Sequence, residues 1–147
     1  VSVTINTDGS CRGNPGPGGW AWAIDESHFA SGVESPSTNQ RMELMAVIQA
    51  LRSNPDGPVE IVSDSTYVVH CFRDRWHAGW LRRGWKNGKG QPVANRDLWE
   101  QLFDLTLSSD RKVSFRWVKG HSGDRMNDFV DLLATEAADS QRPRHQN

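Results

Sequence analysis

Carboxylates occur in four segments whose patterning turns them inward. Asp8 follows Val3, Ile5 and Thr7, which alternate with polar residues as in a strand with one buried face. Asp64 follows the short apolar run from Val59 to Val62. Glu43 lies inside the most apolar helical stretch of the chain, where a glutamate is rarely buried without a partner. A fourth acid, Asp131, sits beside a stripe of Met126, Val130, Leu133 and Ala137, with Asp124 and Asp128 as near rivals for the same position. Two like charges about 4 Å apart repel by roughly 4 kcal/mol at an effective dielectric near 20, so several such pairs would consume much of a domain's stability of about 5–15 kcal/mol. Converged acids must therefore share protons or hold cations. An all-oxygen set suits Mg²⁺ or Mn²⁺ better than zinc, and two such ions about 4 Å apart can serve phosphodiester hydrolysis. The residues alone leave a plainer reading open. An Asp at a strand end commonly serves a turn or cap, and Glu43 could pair with Arg41 or Arg52.

The elements that must position these acids are legible from period and punctuation. The stretch from Val3 to Thr7 predicts a central strand with Asp8 at its carboxyl end, where open α/β sheets bind ligands. The Gly/Pro cluster from Gly13 to Gly19 reads as a tight connection. Trp20, Trp22 and Ile24 alternate in a second strand, and Phe29 to Glu34 forms a third, broken by Ser35-Pro36-Ser37. Short connections make these three an antiparallel meander. Thr38 is the N-cap of a helix reaching Ser53 and apolar on nearly every side. Val59 to Val62 is a buried strand, followed by a helix from Ser65 or Thr66 towards Trp76. From Gly79 to Pro92 come a short helix and an exposed loop, and Asn95 or Asp97 caps a helix ending near Leu107. Lys112 to Val118 is a strand, Lys119 to Asp124 a loop, and Arg125 to Asp139 the last helix. The polar stretch from Ser140 to Asn147 reads as a tail, disordered or a linker stub, after a single domain over residues 1–139. The order gives an α/β fold: a mixed sheet with helices on both faces and right-handed crossovers.

The 147 residues, 36% hydrophobic and 24% charged, fit one soluble globular domain with no membrane-spanning run and no signal-peptide pattern. The chain opens on Val1 without Met, as a trimmed or excised segment would. Cys11 and Cys71 form no Cys-x-x-Cys pair and no disulfide framework, which favours the reducing cytoplasm. A net charge of −1 argues against a simple nucleic-acid-coating protein, but its distribution is uneven. Arg73, Arg75, Arg82, Arg83, Lys86, Lys89 and Arg96 stand against the single acid Asp74. A basic segment beside a separate acidic cluster suits a polyanion guided onto a cation-filled site.

Five pieces then occur in a specific order: Thr7-Asp8-Gly9-Ser10, with Gly13 to Gly19 behind it; Thr38-Asn39-Gln40-Arg41-Met42-Glu43-Leu44; Ser63-Asp64-Ser65-Thr66-Tyr67-Val68; Trp117-Val118-Lys119-Gly120-His121-Ser122-Gly123; and Asn127-Asp128-Phe129-Val130-Asp131. Over nearly its whole length the sequence resembles ribonuclease H of type 1. The resemblance implies a ribonuclease H-like fold with a five-stranded mixed sheet, three antiparallel strands then two parallel. It implies Mg²⁺-dependent cleavage of the RNA strand of RNA–DNA hybrids, giving 5′-phosphate and 3′-hydroxyl products. Two ions would bind with substrate, with Mn²⁺ as a substitute. Asp8, Glu43, Asp64 and Asp131 would be the ligands, the family pattern Asn-acid-x-x-Asp selecting Asp131 over Asp128. Asp128 itself stands where the family often has Glu. His121 would help proton transfer or product departure.

By the same resemblance, Gly9, Ser10, Gly13, Asn14, Asn39 and Gln40 would meet the RNA strand and its 2′-OH. Thr38, Arg41 and Asn95 would hold a DNA phosphate, and Trp76 and Trp80 would line the DNA-strand channel. Arg82, Arg83, Lys86 and Lys89 would form a basic handle. Simpler roles compete: Asn14 in a turn, Gln40 at a helix start, Arg41 in an ion pair, Trp85 and Trp99 in packing. The partner implied is the hybrid itself, with no membrane, no obligate protein partner and a monomeric state. An integrase-like enzyme of the same fold and a non-catalytic hybrid-binding module are the other readings. The four acids argue against the second, and the Gly-His-Ser-Gly loop with the handle against the first.

Overall fold

The predicted strands assemble into one mixed sheet in the computed structural model, which describes residues 2–146. The elements are β1 (Val3–Cys11), β2 (Gly16–Asp25), β3 (His28–Ser37), α1 (Asn39–Ser53), β4 (Val59–Ser63), α2 (Thr66–Arg73), α3 (Trp76–Arg82), α4 (Arg96–Thr106), β5 (Val113–Trp117), α5 (Arg125–Ser140) and β6 (Arg144–Gln146). The strand order is β5-β4-β1-β2-β3-β6. β1, β2 and β3 pair antiparallel, while β4 runs parallel to β1 and β5 parallel to β4. Among the described residues the sheet therefore has six strands, not five. The extra one comes from the polar tail: Arg144 to Gln146 pair antiparallel with Ser31 to Phe29. The Arg144 backbone N–H donates to Ser31 Oγ at 3.0 Å and its guanidinium lies 5.4 Å over the Phe29 ring. Hydropathy pattern misses this strand because it is exposed and buries no apolar face.

Alternation along β2 divides the core into two. Trp20, Trp22 and Ile24 join Ile5, Leu44, Ile48, Ile61, Trp99 and Leu102 in one cluster, built with α1, α2 and α4. Ala21 and Ala23 turn the other way and pack with Phe29, Val130, Leu133 and Ala134, beneath α5. Helices thus cover both faces, as the element order predicts.

The Gly/Pro cluster is only partly a turn. β1 continues through Asp8 to Cys11, and β2 begins at Gly16, so Asp8 lies within a strand rather than at its end. The glycines of this region serve close approach. A Cβ on Gly9 would run into the main chain of α1 at Met42 and Glu43, and one on Gly19 into Ala134 O and Ala138 N of α5. Likewise β3 runs through Ser35-Pro36 to Ser37 instead of breaking there. The helix expected to run towards Trp76 ends at Arg73. Arg75 takes a left-handed φ of 58°, and the chain restarts as α3.

Candidate active site

Parallel pairing of β1 with β4 sets Asn6 opposite Val62. Two residues on, Asp8 is level with Asp64. Side-chain caps fix the three helices that begin beside this edge. Thr38 Oγ1 accepts from Arg41 N at the start of α1, Ser65 Oγ from Val68 N at the start of α2, and Asp124 Oδ1 from Asn127 N at the start of α5. Each such cap typically contributes about 1 kcal/mol. Asp124 is thereby a capping residue, and Asp128 is exposed, which leaves Asp131 as the acid of α5 that faces the site.

One oxygen from each of Asp8, Glu43 and Asp64 lies within 4.8 Å of the others. Asp131 stands near enough to hydrogen-bond Asp8 and to repel Asp64. Glu43 has no ion-pair partner among the described residues. Arg41 binds Glu34 and Asp97, and Arg52 donates to Gln101. Instead Glu43 accepts a short hydrogen bond from the Gly9 backbone N–H, which also lies 2.9 Å from Asp8 Oδ1. The bare glycine in β1 is what lets α1 bring Glu43 this close.

The electrostatics follow from this crowding. Burial, then the neighbouring Glu43, pushes Asp8 up to about 11 from 3.8. Burial pushes Glu43 up to about 7, against the pull of hydrogen bonds from Asp8, Gly9 and Ser65. Asp64 is raised by burial and by Asp131, and drawn back by the Asn127 amide and by His121. Without counter-ions the group holds protons at neutral pH. The donor set is entirely oxygen, anionic and clustered, and it fits hard divalent cations. Asn127 Nδ2 is buried beside Asp64 with no partner in normal hydrogen-bond geometry, so an amide donor remains available to this carboxylate.

Ser65 and Asn127 are not among the site residues that the sequence predicts. Both occur within quoted motifs, but a cap serine and a buried asparagine look ordinary until the fold sets them against acids.

An open depression of about 340 Å³ begins at these acids. Asp8, Glu43 and Asp64 line it together with Gly9, Ser10, Asn39 and Gln40. Gly13 and Asn14 lie beyond it, and Asn14 Oδ1 accepts from the Asn39 backbone N–H at 3.1 Å, tying the β1–β2 turn to the start of α1. His121 is exposed in the loop before α5 with a left-handed φ of 55°, and it shares a second depression with Asp131. A larger depression of about 680 Å³, lined by Phe72, Phe115 and Trp117 among others, contains none of the four acids.

Thr38, Arg41 and Asn95 come together as expected, but Arg41 is not free. Its Nε donates to Glu34 at 3.0 Å, its two Nη groups to Asp97 at 3.0 and 2.9 Å, and Nη1 also to Asn95 at 3.4 Å. Asp97 first, then Glu34, holds the guanidinium charged. Trp76 is 38% exposed, and Trp76, Trp80, Arg82 and Arg83 line one groove of about 470 Å³. Trp80 also packs inward, edge-on to Trp99 at 5.2 Å. Trp99 is fully buried, and Trp85 stacks on Phe103 at 5.7 Å, so both are packing residues. Arg82, Arg83, Lys86 and Lys89 are all exposed. No helix among the described residues is long and apolar enough to cross a membrane.

Comparison with known proteins adds sequence and structural relatives. The RNase H family model matches residues 1–139. The chain is 49% identical to a protein named ribonuclease H from Xanthomonas oryzae pv. oryzae over 147 aligned residues, covering 96% of this chain and 95% of that protein. It is 44% identical to ribonuclease H of Syntrophomonas wolfei, with 94% and 97% covered. Among solved structures, LC9-RNase H1, a type 1 RNase H with the type 2 active-site motif, superposes with a TM-score of 0.82 at 30% identity, over 97% of this chain and 74% of that one. Foamy viral protease-reverse transcriptase in complex with RNA/DNA hybrid superposes with a TM-score of 0.75 at 26% identity, over 93% of this chain and 20% of that one.

Proposed function

This chain belongs to the ribonuclease H family, and on that premise we propose that it cuts the RNA strand of RNA–DNA hybrids internally, leaving 5′-phosphate and 3′-hydroxyl ends. The observation that carries the reading is the convergence of Asp8, Glu43 and Asp64 within 4.8 Å, with Asp131 beside them. These four carboxylates would hold two Mg²⁺ ions with substrate bound, or Mn²⁺ in their place. When bound, the ions supply charge that offsets the carboxylates and Lewis acidity toward water and the scissile phosphate.

The rest is done by the chain's own groups. Gly9, Ser10, Asn39 and Gln40 line the depression at the acids, where backbone and amide groups can both donate to and accept from a ribose 2′-OH. Gly13 and Asn14 extend that strand's path along the turn. His121, exposed beside Asp131, exchanges protons near the reacting phosphate and aids product departure. Thr38, Arg41 and Asn95 take a DNA phosphate, Trp76 and Trp80 pack on the DNA strand, and the handle cations Arg82, Arg83, Lys86 and Lys89 meet further phosphates. In this role the protein positions water and phosphate for in-line attack and forms no covalent intermediate. It acts as a monomeric single domain in the cytoplasm, where Cys11 and Cys71 stay unpaired.

The deciding experiment is strand-resolved cleavage of matched hybrid, double-stranded RNA and double-stranded DNA, with Mg²⁺ present or chelated. The Asp8→Asn variant is run beside the parent chain. Cleavage confined to the RNA of the hybrid, dependent on divalent ions and lost in Asp8→Asn, is the expected result. Cleavage of all three duplexes, or binding without cleavage, would replace this reading with another nuclease or with a binding module.

A further inference from the structure

We infer that Gly120 is a positioning residue for Asp64, acting with Trp117 so that the β5–α5 loop sets the direction in which this carboxylate presents its oxygens. The inference rests on Asp64 being a metal ligand, as proposed above.

The main chain at Asp64 is held from the β5 side. Val118 N–H donates to Ser63 O at 3.0 Å, extending the β4–β5 ladder one residue past the end of β5. The Trp117 indole Nε1–H donates to Asp64 O at 3.0 Å. Trp117 is 43% exposed, so much of this large ring gains little from burial, and its directional contact is the one to Asp64. With the backbone fixed, the carboxylate retains rotation about its own side-chain torsions. Gly120 leaves room for the orientation it takes: a Cβ built there would lie 2.8 Å from Asp64 Oδ2, 3.5 Å from Cγ and 3.6 Å from Cβ.

The reason for glycine here is clearance, not backbone conformation. Gly120 does not occupy the left-handed region. Gly123, three residues on, has a φ of +90° and open space around its absent Cβ. The two glycines of one loop therefore serve different ends. At Gly120 the atom a methyl group would meet is the tip of a side chain that can turn away, whereas at Gly9 or Gly19 it would meet helix backbone. A methyl at 120 leaves the fold in place and turns the carboxylate.

Calorimetric titration of the full chain with Mn²⁺, without nucleic acid, tests this directly. Gly120→Ala should bind Mn²⁺ about tenfold more weakly, the lower end of what loss of an outer-shell contact to a metal ligand costs, with Tm in chelator unchanged. Trp117→Phe, which keeps a ring but loses the donor, should weaken binding in the same direction. Gly123→Ala is the control for a merely structural loss, and should lower Tm while keeping Mn²⁺ affinity. Unchanged affinity in Gly120→Ala beside normal binding by the parent overturns the role of Gly120 and leaves the nuclease reading standing. An affinity loss in Gly120→Ala that tracks a fall in Tm also overturns it. Failure of the parent chain itself to bind Mn²⁺ overturns both readings.

Discussion

Replacing Asp8 by Asn should make the protein more stable when divalent cations are absent. Oxygens of Asp8, Glu43 and Asp64 lie within 4.8 Å of one another. At that spacing each fully charged pair would repel by about 3.5 kcal/mol at an effective dielectric near 20. Retained protons relieve most of this, and Asp8 is raised furthest from its ordinary 3.8. Its folded-state value lies above the unfolded one. Its contribution to stability is therefore complete below the unfolded value and is lost progressively as pH rises towards the folded value. At pH 7 the folded protein keeps a proton that the unfolded chain has released, at a cost of about 1.4 kcal/mol for each pH unit above 3.8, or ~4 kcal/mol. Asparagine avoids this cost, and its amide can still donate to Glu43. The expected gain at pH 7 is ~4 kcal/mol, or roughly 10 °C in Tm for a chain of this size. It should shrink to about 1–2 kcal/mol at pH 5 and vanish near pH 3.

The assay is thermal unfolding followed by circular dichroism in chelator across this pH range, repeated in saturating Mg²⁺. The added ion should narrow the gap by stabilising the parent chain selectively. An Asp8→Asn protein less stable than the parent at pH 7 in chelator, or a difference that does not vary with pH, would refute the reasoning.

Other outcomes follow from individual contacts. His121→Ala should lower kcat by about 10²-fold while hybrid Kd stays nearly constant; equal losses in rate and affinity would remove its proton-handling role. Neutralising Arg82, Arg83 and Lys86 should raise KM, keep kcat, and reduce the slope of log affinity against log salt by up to about 3, whereas an unchanged slope would take the handle out of binding. The Arg41 guanidinium lies between two carboxylates, Glu34 and Asp97, leaving a net negative group where a phosphate is expected. Glu34→Gln should therefore tighten hybrid binding in chelator about two- to fivefold, measured by fluorescence anisotropy; weaker binding would mean that Glu34 orients Arg41 instead of competing for it. Gly19→Ala should destabilise the fold by about 2–3 kcal/mol in denaturant titration, because its methyl meets α5 backbone.

The order of elements was legible because it rests on strong local signals, whereas the acids, each with a plainer cap or ion-pair reading of its own, were joined into one set only by the order of the motifs. Alternation around Ile5 and Trp22, an apolar helix after a Thr cap, and a short run before Asp64 each have one straightforward reading. Strand ends in the Gly/Pro region were not legible. Glycine signals a turn in sequence, but Gly18 and Gly19 lie in β2 and accommodate α1 and α5, a role visible only once both helices are in place. The polar sixth strand escaped because it pairs through its backbone at an edge. Motif order also gathers Thr38, Arg41 and Asn95, but it is blind to partners outside the motif. Glu34, on β3, reaches Arg41 from there and changes what that cluster can attract.

Gly9 and Gly19 give the active site an unusual kind of ruler. Both acid-bearing helices rest against bare strand backbone, one on each face of the sheet, with no cushion of side chains between. The span between Glu43 and Asp131 is then set largely by peptide geometry, which does not stretch when hydrophobic residues are exchanged. Core redesign in either cluster should leave the spacing of the carboxylates intact, while a single added carbon on either strand would spread them. The distance between the two acid-bearing helices is thus most sensitive at two of the smallest residues in the chain.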